Sequence, residues 1–422
     1  MFFTFFRKEM IYVTDMNAKL THRIEKHLVK IAQFNSTPDE GITRFPFTTS
    51  AKACVEYLVQ TMRNAGLETR IDGSGAVIGR LRGLSDKTIA VGSHYDSVQH
   101  GGRFDGIAGV VCGIVLAEYL KEQGITPAYS LEIIAMNDEE GARFKGGFFS
   151  SKAMLGQLSA EDLYNTLDAD GISVVQAMAE WGLTPQELLA SKRDMTKLKA
   201  FLEVHIEQGP LLEAASKEIG IVKTIVGMER FLCEVKGRAD HAGTTPMNMR
   251  KDALLAAAKI ISAVNEYALA ESDSVATVGY ISVLPNEINT IAQKVTFTLD
   301  IRSVSEEKVK RITGNCLDRI KSICTEQDME FSVANTLSVK PTDMDAQLKQ
   351  MIAHSCEQRG YSFMEMNSGA GHDSLPIGKV IPTAMIFVPT KDGRSHCPEE
   401  WCEYSDLAKA VVILSDIISS MK

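Results

Sequence analysis

The sequence predicts an α/β protein in which a mainly parallel, helix-covered sheet is interrupted by a smaller inserted unit. Three observations carry that expectation. Short apolar runs alternate with stretches of helical periodicity through the first half of the chain and again at its end, the pattern of a parallel sheet buried on both faces. Between about Ile221 and Pro341 the order becomes β-α-β-β-α-β, a ferredoxin-like unit that closes on itself and so can be inserted into another domain. The chain has 422 residues and no Pro/Ser-rich linker, a length that suits two or three domains, or one large domain carrying an insertion. The expected division is 1–220 with 342–422 for the sheet domain, and 221–341 for the inserted one.

The elements follow in order. From about Asn17 to Phe34 and from Ser50 to Gly66 the apolar residues recur at helical spacing. "LETRIDGSGAVIGRLRG" alternates around a Gly-Ser-Gly turn and reads as a hairpin. "TIAVGSH" is a strand, "GIAGVVCGIVLAEYLKEQG" a helix, "SLEIIAMNDEEG" a strand, "SSKAMLG" a short helix and "KAFLEVHIEQG" a further strand. Near the end "VIPTAMIFVPT" is a strand and "YSDLAKAVVILSDIISSM" the closing helix. Inside the insertion the strands are "TIVGMERFLCEVKG", "VATVGYISVLP", "KVTFTLDIRS" and "EFSVANTLSV", with helices over "RKDALLAAAKIISAVNEYALA" and "EEKVKRITGNCLDRIKSICTEQ".

Bulk properties exclude some functions. The net charge is −9 and no Lys/Arg block stands out, which argues against a nucleic-acid partner. The N-terminal "MFFTFFRKEM" is too short for a signal-peptide core, and no run approaches a membrane span. Eight cysteines include no CxxC pair, the pattern of reduced, mostly buried thiols in a cytoplasmic protein.

Chemistry concentrates at strand ends, where open α/β sheets place their sites. "TIAVGS" ends in His94, and "LEIIAMND" leads into Glu139 and Glu140. "AFLEV" ends in His205 with Glu207 just after, and "TAMIFVPT" precedes a loop holding His396. Asp105 sits in the glycine-rich turn "GGRFDG" that opens a helix. Alone, each is ordinary: a strand-end His is often a satisfied polar residue, and "DEEG" a solvated turn. Together, separate segments deliver imidazole and carboxylate to one edge with no Cys among them, a donor set for catalytic Zn²⁺ or a related divalent ion. The candidates are too many for one ion with an open position and suit two ions sharing a carboxylate. The glycines then let the Asp105 carboxylate turn back between the ions.

"GSHYDSV", "GGRFDG", "NDEEGARF", "EVHIEQG", "HAGTTPM" and "SGAGHD" together resemble the amidase/hydantoinase/carbamoylase branch of the di-zinc aminoacylase and carboxypeptidase clan, over nearly the whole chain after about residue 20. The resemblance implies a di-metal catalytic domain with an inserted lid and dimerisation domain. His94 and His205 would hold one metal, Asp105 would bridge, and Glu140 and His396 would hold the second. Zn²⁺ leads for both ions; Mn²⁺, Co²⁺ and Ni²⁺ also suit. Asp96 would orient a ligand imidazole, and Glu139 would be the general base. His241 would reach an active site, that of the partner in a homodimer, to hold the developing oxyanion. Asn289 and Arg302 would grip a substrate carboxylate, and His372 would shape the pocket. Without the resemblance Asn289 reads as a turn residue and Arg302 as a surface one.

The expected reaction is hydrolysis of the ureido C–N bond of an N-carbamoyl-L-amino acid, a small carboxylate-bearing substrate, with release of ammonia and carbon dioxide. Alternatives are allantoate hydrolysis, a metallo-aminoacylase or exopeptidase activity, and a non-catalytic binding protein on the same scaffold. Carboxypeptidase members of the clan carry an acidic residue where this chain has His205. Some allantoate enzymes carry a basic pair after "IVG", where this chain has "IVGMERF", with Glu229 followed by Arg230.

Overall fold

The computed structural model describes residues 2–422, with side chains described from residue 16 onward; the apolar patch of the first ten residues lies outside those side chains. The strands, in chain order, are β1 (Glu68–Ile71), β2 (Val77–Leu81), β3 (Ser85–His94), β4 (Tyr129–Met136), β5 (Leu198–Ile206), β6 (Ile219–Ile225), β7 (Gly227–Lys236), β8 (Ser274–Thr277), β9 (Ile281–Leu284), β10 (Lys294–Ser303), β11 (Glu330–Val339), β12 (Thr342–Asp343), β13 (Phe363–Ser368) and β14 (Thr383–Val388). The chain divides into two compact units: Met1–Lys223, Asp343–Met366 and His372–Lys422 in the first, Thr224–Thr342 and Asn367–Gly371 in the second.

The larger sheet runs β1-β2-β4-β3-β5-β14-β6-β12, with β13 beside β6. Its centre is parallel: β3 pairs with β4 and β5, and β14 with β5. Thr88–His94, Ser130–Met136, Ala200–Ile206 and all of β14 are buried. That is why these segments read as apolar runs and not as alternating ones. The helix Ile107–Glu122 is apolar nearly all round, with residues buried on every side from Ile107 to Ala117. It shares one core with the closing helix Tyr404–Ser420 and the helices Phe2–Ile31 and Thr49–Asn64. Parallel register sets His94 beside Met136 and His205 beside Phe387, so the strands that carry chemistry end along one edge.

The second unit is a five-stranded antiparallel sheet, β11-β7-β10-β8, with β9 also on β10. β10 alternates strictly: Val295, Phe297, Leu299 and Ile301 are buried, while Thr296, Thr298, Asp300 and Arg302 are only partly so. The buried set packs with Ala256, Ile260, Ile312 and Ile320 of the helices Ala253–Leu269 and Glu306–Glu326. Such a sheet has one covered face and one open face.

Two of the segments read from the sequence are divided in the structure, and the helix Ala346–Arg359 and β13 have no counterpart in that reading. "TIVGMERFLCEVKG" is broken at Val226, because β6 pairs in the larger sheet and β7 in the smaller one. "VATVGYISVLP" is two short strands, β8 and β9, which pair with opposite ends of β10. Three short helices, Ala160–Asn165, Val174–Glu180 and Pro185–Ala190, have no counterpart in that reading. At six or seven residues they are too short to show periodicity. Their signal is the capping box formed by Ser159 with Asp162, Ser173 with Gln176, and Thr184 with Glu187. Among the described residues no helix is long and apolar enough to cross a membrane.

Candidate active site

The site begins with His94, the last residue of β3 and 1% exposed. The "GGRFDG" turn crosses directly above its ring. Gly106 has φ +65°, and a Cβ there would stand 2.3 Å from the His94 ring, so only glycine fits. Asp105, beside it, turns inward and is 5% exposed. One of its oxygens lies 3.1 Å from His205 Nε2 and 3.8 Å from His94 Nε2; the other lies 3.0 Å from His396 Nε2. His396 Nε2 is also 3.3 Å from Glu140 Oε1, and His94 Nε2 is 4.0 Å from Glu139 Oε2.

Three groupings therefore bring donor atoms within 4.8 Å of one another: His94, Asp105 and His205; Asp105, Glu140 and His396; and His94, Glu139 and Glu140. Asp105 belongs to the first two. His205 Nδ1 lies 2.9 Å from the Ile206 carbonyl, which turns Nε2 toward the cluster. Asp96 reaches the main chain as well as His94. Its two carboxylate oxygens accept the main-chain N–H groups of Glu139 and Glu140 at 3.1 and 3.3 Å, and one of them lies 3.6 Å from His94 Nδ1. It ties the end of β3 to the turn after β4.

Electrostatics follow from this crowding. Burial alone would raise the Asp105 carboxyl, but hydrogen bonds from His205 and His396 hold it well below the usual carboxylate range. The same contacts to Asp105 and Glu140 push His396 up to about 11. Burial holds Glu139 well above the carboxylate range, and it raises Glu140 too, with Asp105 adding repulsion. The ion-pair partners of Asp105, Glu139 and Glu140 are histidines alone among the described residues. Three carboxylates packed with imidazoles and without Lys or Arg fit a divalent cation charge in their midst.

The remaining candidates stand outside these three groupings. Glu207 turns away: its carboxylate accepts Leu211 and Leu212 N–H at 2.7 and 2.8 Å and caps a short helix. His372 is buried with its ring centroid 4.5 Å from that of His205, and burial holds it well below the usual imidazole range. His241, Asn289 and Arg302 belong to the second unit. His241 and Asn289 are exposed neighbours, joined by the Ala242 N–H to the Asn289 carbonyl at 2.9 Å. Arg302 donates Nε and Nη2 to Asp300 at 2.7 and 3.0 Å and Nη1 to the Gly369 carbonyl at 2.8 Å. Two further residues escaped the sequence reading. Gln208, at φ +59°, donates Nε2 to both Asp105 oxygens at 3.2 and 3.3 Å. Glu400 accepts the Phe104 and Asp105 N–H groups at 2.9 and 3.1 Å. The first stood inside the quoted "HIEQG"; the second had no local signal.

Buried imidazoles and carboxylates at the carboxyl edge of a parallel sheet, with a second sheet unit inserted in the chain, define a metal-dependent hydrolase. The chain belongs to Peptidase family M20/M25/M40, whose pattern matches residues 90–420. It is 39% identical to the N-carbamoyl-L-amino-acid amidohydrolase of Paenarthrobacter aurescens over 94% of this chain and 97% of that protein. It is 35% identical to the allantoate amidohydrolase of Escherichia coli, over 93% of this chain and 96% of that one. Among solved structures, an amidase of the hydantoinase/carbamoylase family from Burkholderia multivorans superposes with a TM-score of 0.86 at 31% identity, covering 95% of this chain and 97% of that one.

Proposed function

We propose that this protein hydrolyses the ureido C–N bond of N-carbamoyl-L-amino acids with two divalent ions, zinc first among them, bound at the carboxyl edge of the larger sheet. The observation that carries the reading is the pair of donor groups sharing Asp105, His94 and His205 on one side, Glu140 and His396 on the other. When bound, the ions polarise a carbonyl and lower the pKa of water toward neutrality.

The chain's own residues do the rest. Glu139, in reach of the cluster but outside the two groups that share Asp105, takes the proton from the attacking water on its carboxylate and returns it to the leaving nitrogen. Arg302 binds the substrate carboxylate with the N–H groups that Asp300 and Gly369 leave free. Asn289 assists it, and His241 hydrogen-bonds the developing oxyanion. His372 walls the pocket beside His205. The smaller unit acts as the lid and dimerisation domain of a cytoplasmic homodimer, with His241 crossing to the partner's site.

The relatives named as carbamoyl-amino-acid hydrolases support this substrate class. The relative named for allantoate supports the second reading, which keeps the same site. Ammonia release decides between them, measured on N-carbamoyl-L-amino acids, N-carbamoyl-β-alanine, allantoate and N-acetyl amino acids after dialysis and metal add-back. Turnover of allantoate alone, or of the acetyl compounds alone, would overturn the first reading.

A further inference from the structure

Glu400 is 2% exposed, yet among the described residues it is neither paired with a basic side chain nor part of the donor cluster. Its carboxylate is divided between two loops. Oε1 accepts the Phe104 N–H at 2.9 Å and the Asp105 N–H at 3.1 Å, and Oε2 accepts the Ser395 hydroxyl at 2.7 Å. One loop carries Asp105 and the other His396, each joined to Glu400 at the residue itself or its neighbour.

The surroundings are built for this carboxylate. A Cβ on Gly102 would stand 2.1 Å from Glu400 Oε1, so the first half of the "GGRFDG" turn is glycine where Glu400 enters. The Phe104 ring packs edge-on against Trp401, centroids 5.4 Å apart, and lies 5.6 Å from Tyr404. The segment after Glu400 thus holds the same turn from its apolar side. His396 needs holding: at φ +57° its backbone is in the left-handed region that a non-glycine residue adopts only when its surroundings impose it.

We infer that Glu400 is a positioning residue that fixes Asp105 and His396 relative to one another and so sets the affinity for the metal ion they share. This rests on the two-ion reading of the site. A carboxylate serving only to fill the interior has no reason to bind the carriers of two donors and to leave the carrier of His205 alone.

The test titrates Zn²⁺ into the metal-free full-length protein against a chromophoric chelator. Glu400→Ala should bind the equivalent shared by Asp105 and His396 about 10- to 100-fold more weakly, the usual cost of losing a group behind a ligand, and the other, which Glu400 reaches through Asp105 alone, with a smaller loss. Its kcat should recover at saturating Zn²⁺, with KM unchanged. Glu400→Gln keeps an acceptor for the two N–H groups and can donate to Ser395, so it should stay within a few-fold of wild type. Ser395→Ala cuts only the His396 arm and should give an intermediate loss; it carries the test if Glu400→Ala does not fold. Two wild-type affinities in Glu400→Ala, or in Ser395→Ala where that is the variant available, would overturn the inference. A wild-type protein that binds no divalent ion would overturn the two-ion reading, and this inference with it.

Discussion

Asp105 Oδ2 lies 3.0 Å from Nε2 of His396, joining a turn early in the chain to a loop near its end. The other oxygen of the same carboxylate faces His205 at 3.1 Å. Replacing Asp105 therefore strips a donor from two groups, and replacing His396 strips one from a single group. Asp105→Ala should lose most of both metal equivalents, His396→Ala chiefly one. Metal analysis of the dialysed variants checks this; full occupancy in Asp105→Ala would rule out a shared carboxylate.

Glu139 separates proton transfer from metal binding. Its main-chain N–H is held by Asp96 at 3.1 Å, so the side chain can change with little movement of the turn. Glu139→Gln keeps the shape but cannot accept a proton. It should lower kcat by at least about 100-fold, since general-base contributions run from about 10² to 10⁴, with metal content unchanged. Loss of metal along with activity would make Glu139 a ligand instead.

Glu132 tests the frame under the site. It is buried on β4 between Arg80, at 2.9 Å, and Arg193, at 2.6 Å. Glu132→Ala takes the shared anion from two partly buried guanidinium groups. Breaking a buried pair in this way costs about 3–5 kcal/mol, which should lower the thermal midpoint by several degrees. A variant that melts with the wild type would show that water already satisfies both arginines.

What the sequence made legible has a physical boundary. Strands of a parallel sheet buried on both faces are near-continuous apolar runs, so β3, β4, β5 and β14 stand out in spite of buried Glu132 and Glu203, and their ends mark where polar groups can emerge. The alternation of β10 is as plain, because one face of its sheet is open. The capped short helices after Ser159 were invisible to periodicity, being less than two turns long. The break at Val226 was hidden because β6 and β7 are contiguous in sequence and diverge only through their pairing. Glu400 was hidden for a similar reason. Its partners, Phe104 and Asp105, are 296 and 295 residues away, and the bonds go to main-chain groups that every residue type has.

Asp300 predicts a pH effect in the second unit. Burial would raise its carboxyl, but the Arg302 and Arg230 guanidinium groups overcome this and hold it below 3.8. A carboxyl whose folded pKa is depressed adds stability above its unfolded pKa and loses it as pH falls through the folded value. Asp300→Asn should therefore be less stable than wild type at neutral pH, and the difference should shrink as pH drops below about 3.8. Urea unfolding of chelator-treated protein across that range measures the gap; a gap that widens toward acid would contradict the sign.

His241 and Asn289 are exposed neighbours on the second unit. His241 Nδ1 accepts the Gly243 N–H at 3.0 Å, a bond that does not engage Nε2. The unit also exposes Leu254, Leu284 and Ile288. If His241 serves the site of a partner copy, two inactive variants should complement. His241→Ala is damaged in the second unit and Glu139→Gln in the first. Each homodimer should be nearly inactive. On that arrangement a heterodimer of the two would contain one site with both lesions and one with neither, each site being completed by the other chain's His241. After subunit exchange, each heterodimer should regain up to about half of wild-type activity, one of two symmetric sites being intact. Exchange followed by size-exclusion chromatography and an ammonia assay reads this directly. No recovery in verified heterodimers would mean that His241 acts within its own chain or not at all, whereas recovery would place its imidazole across the interface.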